Sequence, residues 1–302
     1  MHYLIEPGFL ASGPVRTALL VGAVVAVTSG VIGVFTVIRG QSFAGHSLSD
    51  VATTGGAGAF LAGINQFWGF LITGAVAALL MEGIGAQRRR GRDVATGVVL
   101  GGALGAAALF LYLGTLQTAT TGASFTILFG SIFVVSPDTV PAVIAAGLVA
   151  LATTMLLARP LLLTALSPDI ARTRHVSVRM VGIAYLMALA VDVSLSAVAI
   201  GAVLSTALLI GPAATALRLV KSPVKAMIVA AASGLAATWI GVLLAYDSFY
   251  WPPHGHGWPV SFFVVALVLA GYLATYIVSK ARRPRRLAPR SPHEEAAECS
   301  PA

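Results

Sequence analysis

Long apolar stretches, broken by short polar or basic interruptions, fill the chain from residue 15 to 279. A helix needs about 20 apolar residues to cross ~30 Å of hydrocarbon. Runs of that length occur at about 15–38, 43–62, 66–87, 94–115, 139–160, 178–196, 198–219, 224–246 and 258–279. Lipid offers backbone groups no hydrogen-bond partner, so each run is expected to be an α-helix. The pattern predicts an all-α, polytopic membrane protein with about nine transmembrane helices. The second and seventh runs are interrupted by polar residues and glycines, so either could be broken or partly inserted. No basic region precedes a short apolar core at the N-terminus, so a cleavable signal peptide is not expected.

Composition sharpens this picture. Of 302 residues, 57% are apolar and 10% charged, against about 25% charged in soluble domains, and the mean hydropathy is +0.89. Residues 116–138 and 281–302 are too short to form a soluble catalytic domain. The expected division is a membrane domain over 1–280 and a disordered cytoplasmic tail over 281–302. A single cysteine, Cys299, excludes a disulfide framework or a cysteine-rich metal cage.

The net charge of +8 matters through its placement, because cytoplasmic loops collect Lys and Arg. Threading nine spans with the N-terminus outside puts Arg39, Arg88–Arg92, Arg159, Arg172, Arg174, Arg179, Arg218, Lys221, Lys225 and the basic tail in the cytoplasm. Every basic residue but Arg16 then lies inside. Topology thus explains the positive charge and removes nucleic acid as a partner, leaving membrane lipid as the surroundings. Outside, Phe125–Ser131 suits a short surface helix or re-entrant turn, and residues 247–258 form an aromatic loop carrying His254 and His256. Gly97, Gly101 and Gly105 fall on one face of the fourth span, where another helix could approach closely.

Ionisable side chains within the spans are few: His46 and Asp50 in the second, Glu82 in the third and Asp192 in the sixth. Such residues usually face a cavity or a partner. His46 and Asp50 are i and i+4 and project from one helix face, which Ser42, Ser49 and Thr53 extend into a polar stripe. An imidazole and a carboxylate this close can share a divalent cation such as Zn, Mn or Fe(II). They can equally form a hydrogen bond that packs two helices. Glu82 is expected to pair with the Arg88–Arg92 cluster, and Asp192 to be solvated near the outer surface. His254 and His256 read as a surface turn. The chain has no Gly-Lys dipeptide, so it holds no phosphate-binding P-loop. It also lacks a Gly-x-Ser-x-Gly elbow and a His-Glu-x-x-His helix. It is therefore expected to be no enzyme.

Several segments resemble the integral-membrane permeases of bacterial ABC importers for zinc, manganese and iron. Gly33-Val-Phe-Thr-Val-Ile-Arg-Gly-Gln-Ser-Phe-Ala-Gly-His-Ser-Leu-Ser-Asp-Val51 is similar to the family's G-V-F-x-V-x-R… G-D-x-L-S-H-A signature. Arg92-Asp-Val-Ala-Thr-Gly97 is similar to E-D-A-x-x-G, Leu128-Phe-Gly-Ser131 to L-F-G-x, and Ser167-Pro-Asp-Ile-Ala171 to D-P-E-x-A. Val198-Ala-Ile-Gly-Ala-Val-Leu204 and Ala207-Leu-Leu-Ile-Gly-Pro-Ala-Ala-Thr-Ala216 resemble V-G-x-L-L…A-L-L-x-x-P-A-A-T-A. The segments occur in the family's order and cover residues 15 to 280.

The resemblance implies a bacterial plasma-membrane permease that pairs, as a homodimer, over a metal path. It also implies two cytoplasmic ABC ATPase subunits and an extracellular or periplasmic metal-binding protein. No cofactor is permanently bound; the divalent metal is cargo. The family places Asp first and His four residues later in its metal path, whereas here His46 stands at the Asp position and Asp50 at the His position. Both ligand types survive, with Asp192 and Thr53 as a possible secondary path. Pro168–Val178 is helix-compatible, with Ser167 as N-cap, Pro168 in the first turn and Asp169 at the positive dipole end. It is assigned as the coupling helix to the ATPase through Pro168, Asp169, Ala171 and Val176. An ordinary basic loop is the alternative for that segment. Two further functional readings are a permease for a metal chelate or cofactor, and a proton-coupled carrier using Asp50 and Asp192.

A reporter fused after Arg90 or Arg286 is expected to read cytoplasmic, and one at Gly255 external. A cytoplasmic signal at Gly255 would break the nine-span threading, because that loop's side depends on every span before it.

Overall fold

The computed structural model of the protein describes residue 9 and residues 12–85, 89–118, 122–130, 132–251 and 257–281. Arg88, His254, His256 and the tail 282–302 with Cys299 lie outside the described residues. The chain forms α1 (Gly13–Ile38), α2 (Ser42–Leu61), α3 (Gln66–Gly85), α4 (Arg89–Thr118), α5 (Gly122–Phe129) and α6 (Val140–Leu156). It continues through α7 (Ala158–Leu166), α8 (Pro168–Thr173), α9 (Val178–Ile200), α10 (Ser205–Leu219), α11 (Pro223–Ser248) and α12 (Val260–Ala281). Among the described residues there is no strand.

Among the described residues, seven helices are long and apolar enough to cross a membrane: α1, α3, α4, α6, α9, α11 and α12. The two expected spans outside this set are the interrupted second and seventh. Helix α2 has 20 residues, but His46, Asp50 and its serines, threonines and glycines dilute its apolarity. Helix α10 has 15 residues, about 22 Å at 1.5 Å per residue, and Pro212 lies inside it. Its start is set by Gly201 at φ 90°, a left-handed turn that ends α9. There the amides of Ala202 and Val203 donate to the carbonyls of Ile127 and Leu128 at 3.3 and 3.2 Å, docking the end of α5 on the α9–α10 break.

Helix α1 is the centre of the bundle, packed against α11, α10, α6 and α9. Ile32, Val34 and Phe35 of α1 join Leu48, Leu161, Tyr185, Leu189 and Leu209 in one buried cluster. Val15, Val21 and Val25 join Leu195, Ile200, Val242 and Val264 in another. Apolar burial gives little drive between helices already in lipid, so close backbone approach carries much of the packing. A Cβ on Gly33 would sit 1.9 Å from the Leu209 carbonyl oxygen, and one on Gly30 2.6 Å from the Ala231 amide nitrogen. The expected glycine stripe of the fourth span behaves differently: a Cβ on Gly97, Gly101 or Gly105 meets nothing within 4 Å. Helix α4 turns that face away from the bundle, so among the described residues the stripe packs against no other helix.

On the side where α1 ends, Pro160 lacks the N–H that would bond the Leu156 carbonyl, and the helix breaks at Leu157 into α6 and α7. The Ser167 hydroxyl accepts the Ile170 amide, capping α8 as its sequence suggests. The helix ends at Thr173 rather than running to Val178. His175 takes a left-handed φ of 56°. The amides of His175 and Val176 close back on the carbonyls of Arg172 and Ala171 at 3.1 and 3.0 Å, a Schellman closure.

Gly33→Ala is expected to lower the thermal midpoint of the detergent-purified protein, with an overpacking cost of about 1–3 kcal/mol. Gly101→Ala should leave it unmoved, since the added methyl meets open space. Equal midpoints for the two variants would remove the α1–α10 contact as a packing determinant.

Candidate metal path

The path candidates begin where α1 turns into α2. Arg39 caps α1, Gly40 adopts φ 64°, and the amides of Gly40 and Gln41 bond the carbonyls of Val37 and Thr36 at 3.1 and 2.9 Å. This tight closure starts α2 at Ser42 and sets the angle at which its first turns present His46 and Asp50. The two side chains meet, with His46 Nε2 3.4 Å from Asp50 Oδ2. Two donors about 2.1 Å from one ion at the tetrahedral angle also stand about 3.4 Å apart, so the separation is compatible with a shared cation as well as with a direct His–Asp ion pair.

Their surroundings are asymmetric. Ser47, Leu48 and Ser49 on the same turns are fully buried, whereas the His46 side chain is 46% exposed and Asp50 14%. Phe43, one turn before His46, is exposed on the same side. The pair therefore faces out of the chain from a helix whose other faces are packed. Among the described residues no group of three or more His, Cys, Asp or Glu side chains comes together, so one chain offers two ligands here.

Of the rest of the predicted polar stripe, Ser42 is partly exposed, whereas Ser49 and Thr53 turn inward. Ser49 donates to the Ala202 carbonyl at 3.0 Å and shares a hydrogen bond with the Ser205 hydroxyl, sealing α2 to the α9–α10 break. Thr53 is 2% exposed and donates to the Ser49 carbonyl of its own helix at 2.9 Å. Asp192 is also placed differently from the expectation of a solvated group. It is fully buried between α9 and α1, its Oδ1 accepting from Ser29 Oγ at 3.0 Å. Ser29 and Ser196 hydroxyls lie 3.0 Å apart beside it. Glu82 lies against Gly182 of α9 and acts electrostatically on Arg39.

In the expected coupling segment, Pro168 opens α8, Asp169 is exposed in its first turn, and Ala171 is fully buried. Val176 packs partly buried against the main core. Leu166 and Ile170, which sequence reasoning did not single out, are 84% and 54% exposed there. The partners Ser29, Ser196 and Ser205 were also missed, because a small hydroxyl within a span looks the same in sequence whether it seals a carboxylate or merely fills a helix contact.

Comparison with known proteins places this geometry in context. The family model described as "ABC 3 transport family" matches residues 13–279. The manganese import system permease protein ScaB of Streptococcus parasanguinis is 31% identical over 77% of this chain and 81% of its own length. A probable iron transport system membrane protein of Haemophilus influenzae is 31% identical over 81% of this chain and 88% of its own length. Among solved structures, PsaBC from Streptococcus pneumoniae in complex with Fab superposes with a TM-score of 0.75 at 25% identity, covering 89% of this chain and 93% of that one. A putative metal-chelate type ABC transporter in an inward-facing conformation superposes with a TM-score of 0.71 at 12% identity, over 87% and 85% of the two chains, which shows a shared fold.

Asp192→Asn keeps the shape and the hydrogen bond from Ser29, and is expected to retain metal uptake. Asp192→Ala leaves Ser29 without its carboxylate acceptor and should cost about 1–3 kcal/mol of stability. Loss of uptake in a folded Asp192→Asn variant, measured in membrane vesicles, would move Asp192 into the path.

Proposed function

The chain belongs to the ABC 3 transport family, and from that premise we propose that the His46–Asp50 pair is the path by which it passes a divalent transition metal across the membrane. The protein is a multi-pass permease of the bacterial plasma membrane in a metal ABC importer, a transport component rather than an enzyme. Manganese leads the cargo reading and iron follows, from the relatives that carry those names; zinc rests on ligand chemistry alone. The juxtaposition of a half-exposed His46 and a largely covered Asp50 on one helix face is the observation that carries the proposal.

Two ligands are too few for a tight structural site, which suits a path that must release its ion. A second copy of the chain facing the first across α2 would supply two imidazoles and two carboxylates, a mixed N/O set that suits manganese and iron. The reversed order of His46 and Asp50 keeps the donor set while changing which donor lies nearer the start of α2. A chelate arrives with its ion already ligated and would have no use for this pair, so the free-ion reading is preferred over a chelate permease.

The topology we propose has nine spans over residues 1–280, with α2 and α10 completing the seven long helices, the N-terminus outside and the C-terminal tail in the cytoplasm. The basic residues near α7–α8 support it. ABC ATPase subunits would dock on the exposed part of this segment, Asp169, Leu166 and Ile170, with Ala171 and Val176 anchoring it to the bundle. An external metal-binding protein would deliver the ion. Membership in an ABC family leaves the proton-coupled carrier without support.

His46→Ala and Asp50→Ala are each expected to reduce manganese uptake by more than tenfold at unchanged expression and ATPase association. Exchanging the two, His46→Asp with Asp50→His, should retain part of the transport with a shifted preference among Mn, Fe and Zn. Uptake of all three metals at the wild-type rate by both alanine variants would reduce the pair to a helix-packing contact.

A further inference from the structure

Arg39 ties the start of α2 to the segment that leads into α8. Its Nη1 donates to the Thr164 hydroxyl at 2.8 Å and to the Leu161 carbonyl at 3.4 Å, both on α7. Its Nε donates in another direction, to Gln41 Oε1 at 3.2 Å, and Gln41 is the N-cap of α2. The guanidinium carbon stands 5.3 Å from the centroid of the Tyr185 ring on α9, within cation–π range. Tyr185 is itself fixed, sharing a hydrogen bond with Thr36 of α1 at 2.7 Å. Leu161 and Tyr185 are fully buried and Thr164 is 6% exposed. The guanidinium thus bridges buried groups of α7 and α9 and, through the partly buried Gln41 side chain, the start of α2.

This arrangement has a mechanical reading. Helices α7 and α8 are separated by Ser167 alone, and Ala171 fastens α8 to the bundle. On the other side, His46 follows Gln41 by about 7.5 Å of helix rise. We infer that Arg39 is the positioning residue that carries movement of α7–α8 to the His46–Asp50 end of α2, so that the ATPase cycle opens and closes the metal path. The inference rests on the transport function proposed above. It depends on a planar fork that bonds α7 and Gln41 at once; a lysine ammonium keeps the charge but offers a point donor without that fixed geometry. The Thr164 hydroxyl is the other half of the link, because its removal leaves the α7 side with the longer bond to Leu161.

The test uses the complete transporter, with its ATPase and metal-delivery protein, in liposomes, and reads manganese uptake, ATP hydrolysis and manganese binding in parallel. The wild type must first transport and bind manganese; failure there is failure of the proposed function, before Arg39 is at issue. Arg39→Lys preserves the cytoplasmic charge, and Thr164→Val preserves side-chain shape. Each is expected to lower the ratio of uptake to hydrolysis at least fivefold, with hydrolysis and manganese affinity within twofold of wild type. The double variant should be no worse than the stronger single one, as for two ends of one interaction. Unchanged ratios in both single variants would overturn the inference. So would a parallel fall of uptake and hydrolysis, which marks a merely structural residue, or full additivity in the double variant.

Discussion

Inside hydrocarbon an ionisable or hydroxyl side chain has no water to satisfy it, so it must be partnered within the protein or kept facing a path. This constraint sorts the polar groups of the bundle into two sets. Asp192 is buried with its Oδ1 accepting from Ser29, Ser196 alongside and its Oδ2 without a hydrogen-bond partner among the described residues, and Tyr185 is bonded to Thr36. Ser49 and Ser205 close the seam between α2 and the α9–α10 break. His46 and Asp50 have each other at 3.4 Å, with the imidazole half-exposed and the carboxylate largely covered. On the function proposed above, the exposure of His46, more than the presence of charge, distinguishes that pair from the buried Asp192.

The same constraint explains why the two helices outside the set of seven long apolar ones are the most informative. Helix α2 gives up apolarity to carry the open pair, and recovers its place by packing closely on its neighbours: a Cβ on Gly55 would lie 2.2 Å from the Gly69 carbonyl oxygen of α3. Helix α10 gives up length, its first turn replaced by the chain segment that receives α5. Helix α1 holds both in place, with Gly33 against α10 and the Arg39 turn leading into α2.

Much of this was legible in the sequence. Runs of about 20 apolar residues mark the long helices because backbone satisfaction in lipid leaves few other structures. Ser167, Pro168 and Asp169 announce the start of α8 by local capping chemistry, whereas its end depends on a left-handed His175, a conformation uncommon outside glycine. Depth was not legible. Helical periodicity puts Thr53 on the His46 face, yet it says nothing of which neighbour covers that turn, and α2 buries it. Asp192 looked superficial by its distance from the end of a span, but the α9–α10 break lies beyond it and α1 covers it. Gly97, Gly101 and Gly105 have the spacing of a packing stripe, and spacing alone does not say that a helix is there to pack.

The central claim is that His46 ligates the transported ion. Pulsed electron paramagnetic resonance of Mn(II) bound to the reconstituted permease reports it directly, through modulation from a coordinated imidazole nitrogen. The account predicts nitrogen modulation in the wild type that disappears in His46→Asn, with the Asp50 carboxylate still able to hold the ion weakly. Nitrogen modulation that persists unchanged in His46→Asn, or is absent from wild type with manganese bound, would contradict it.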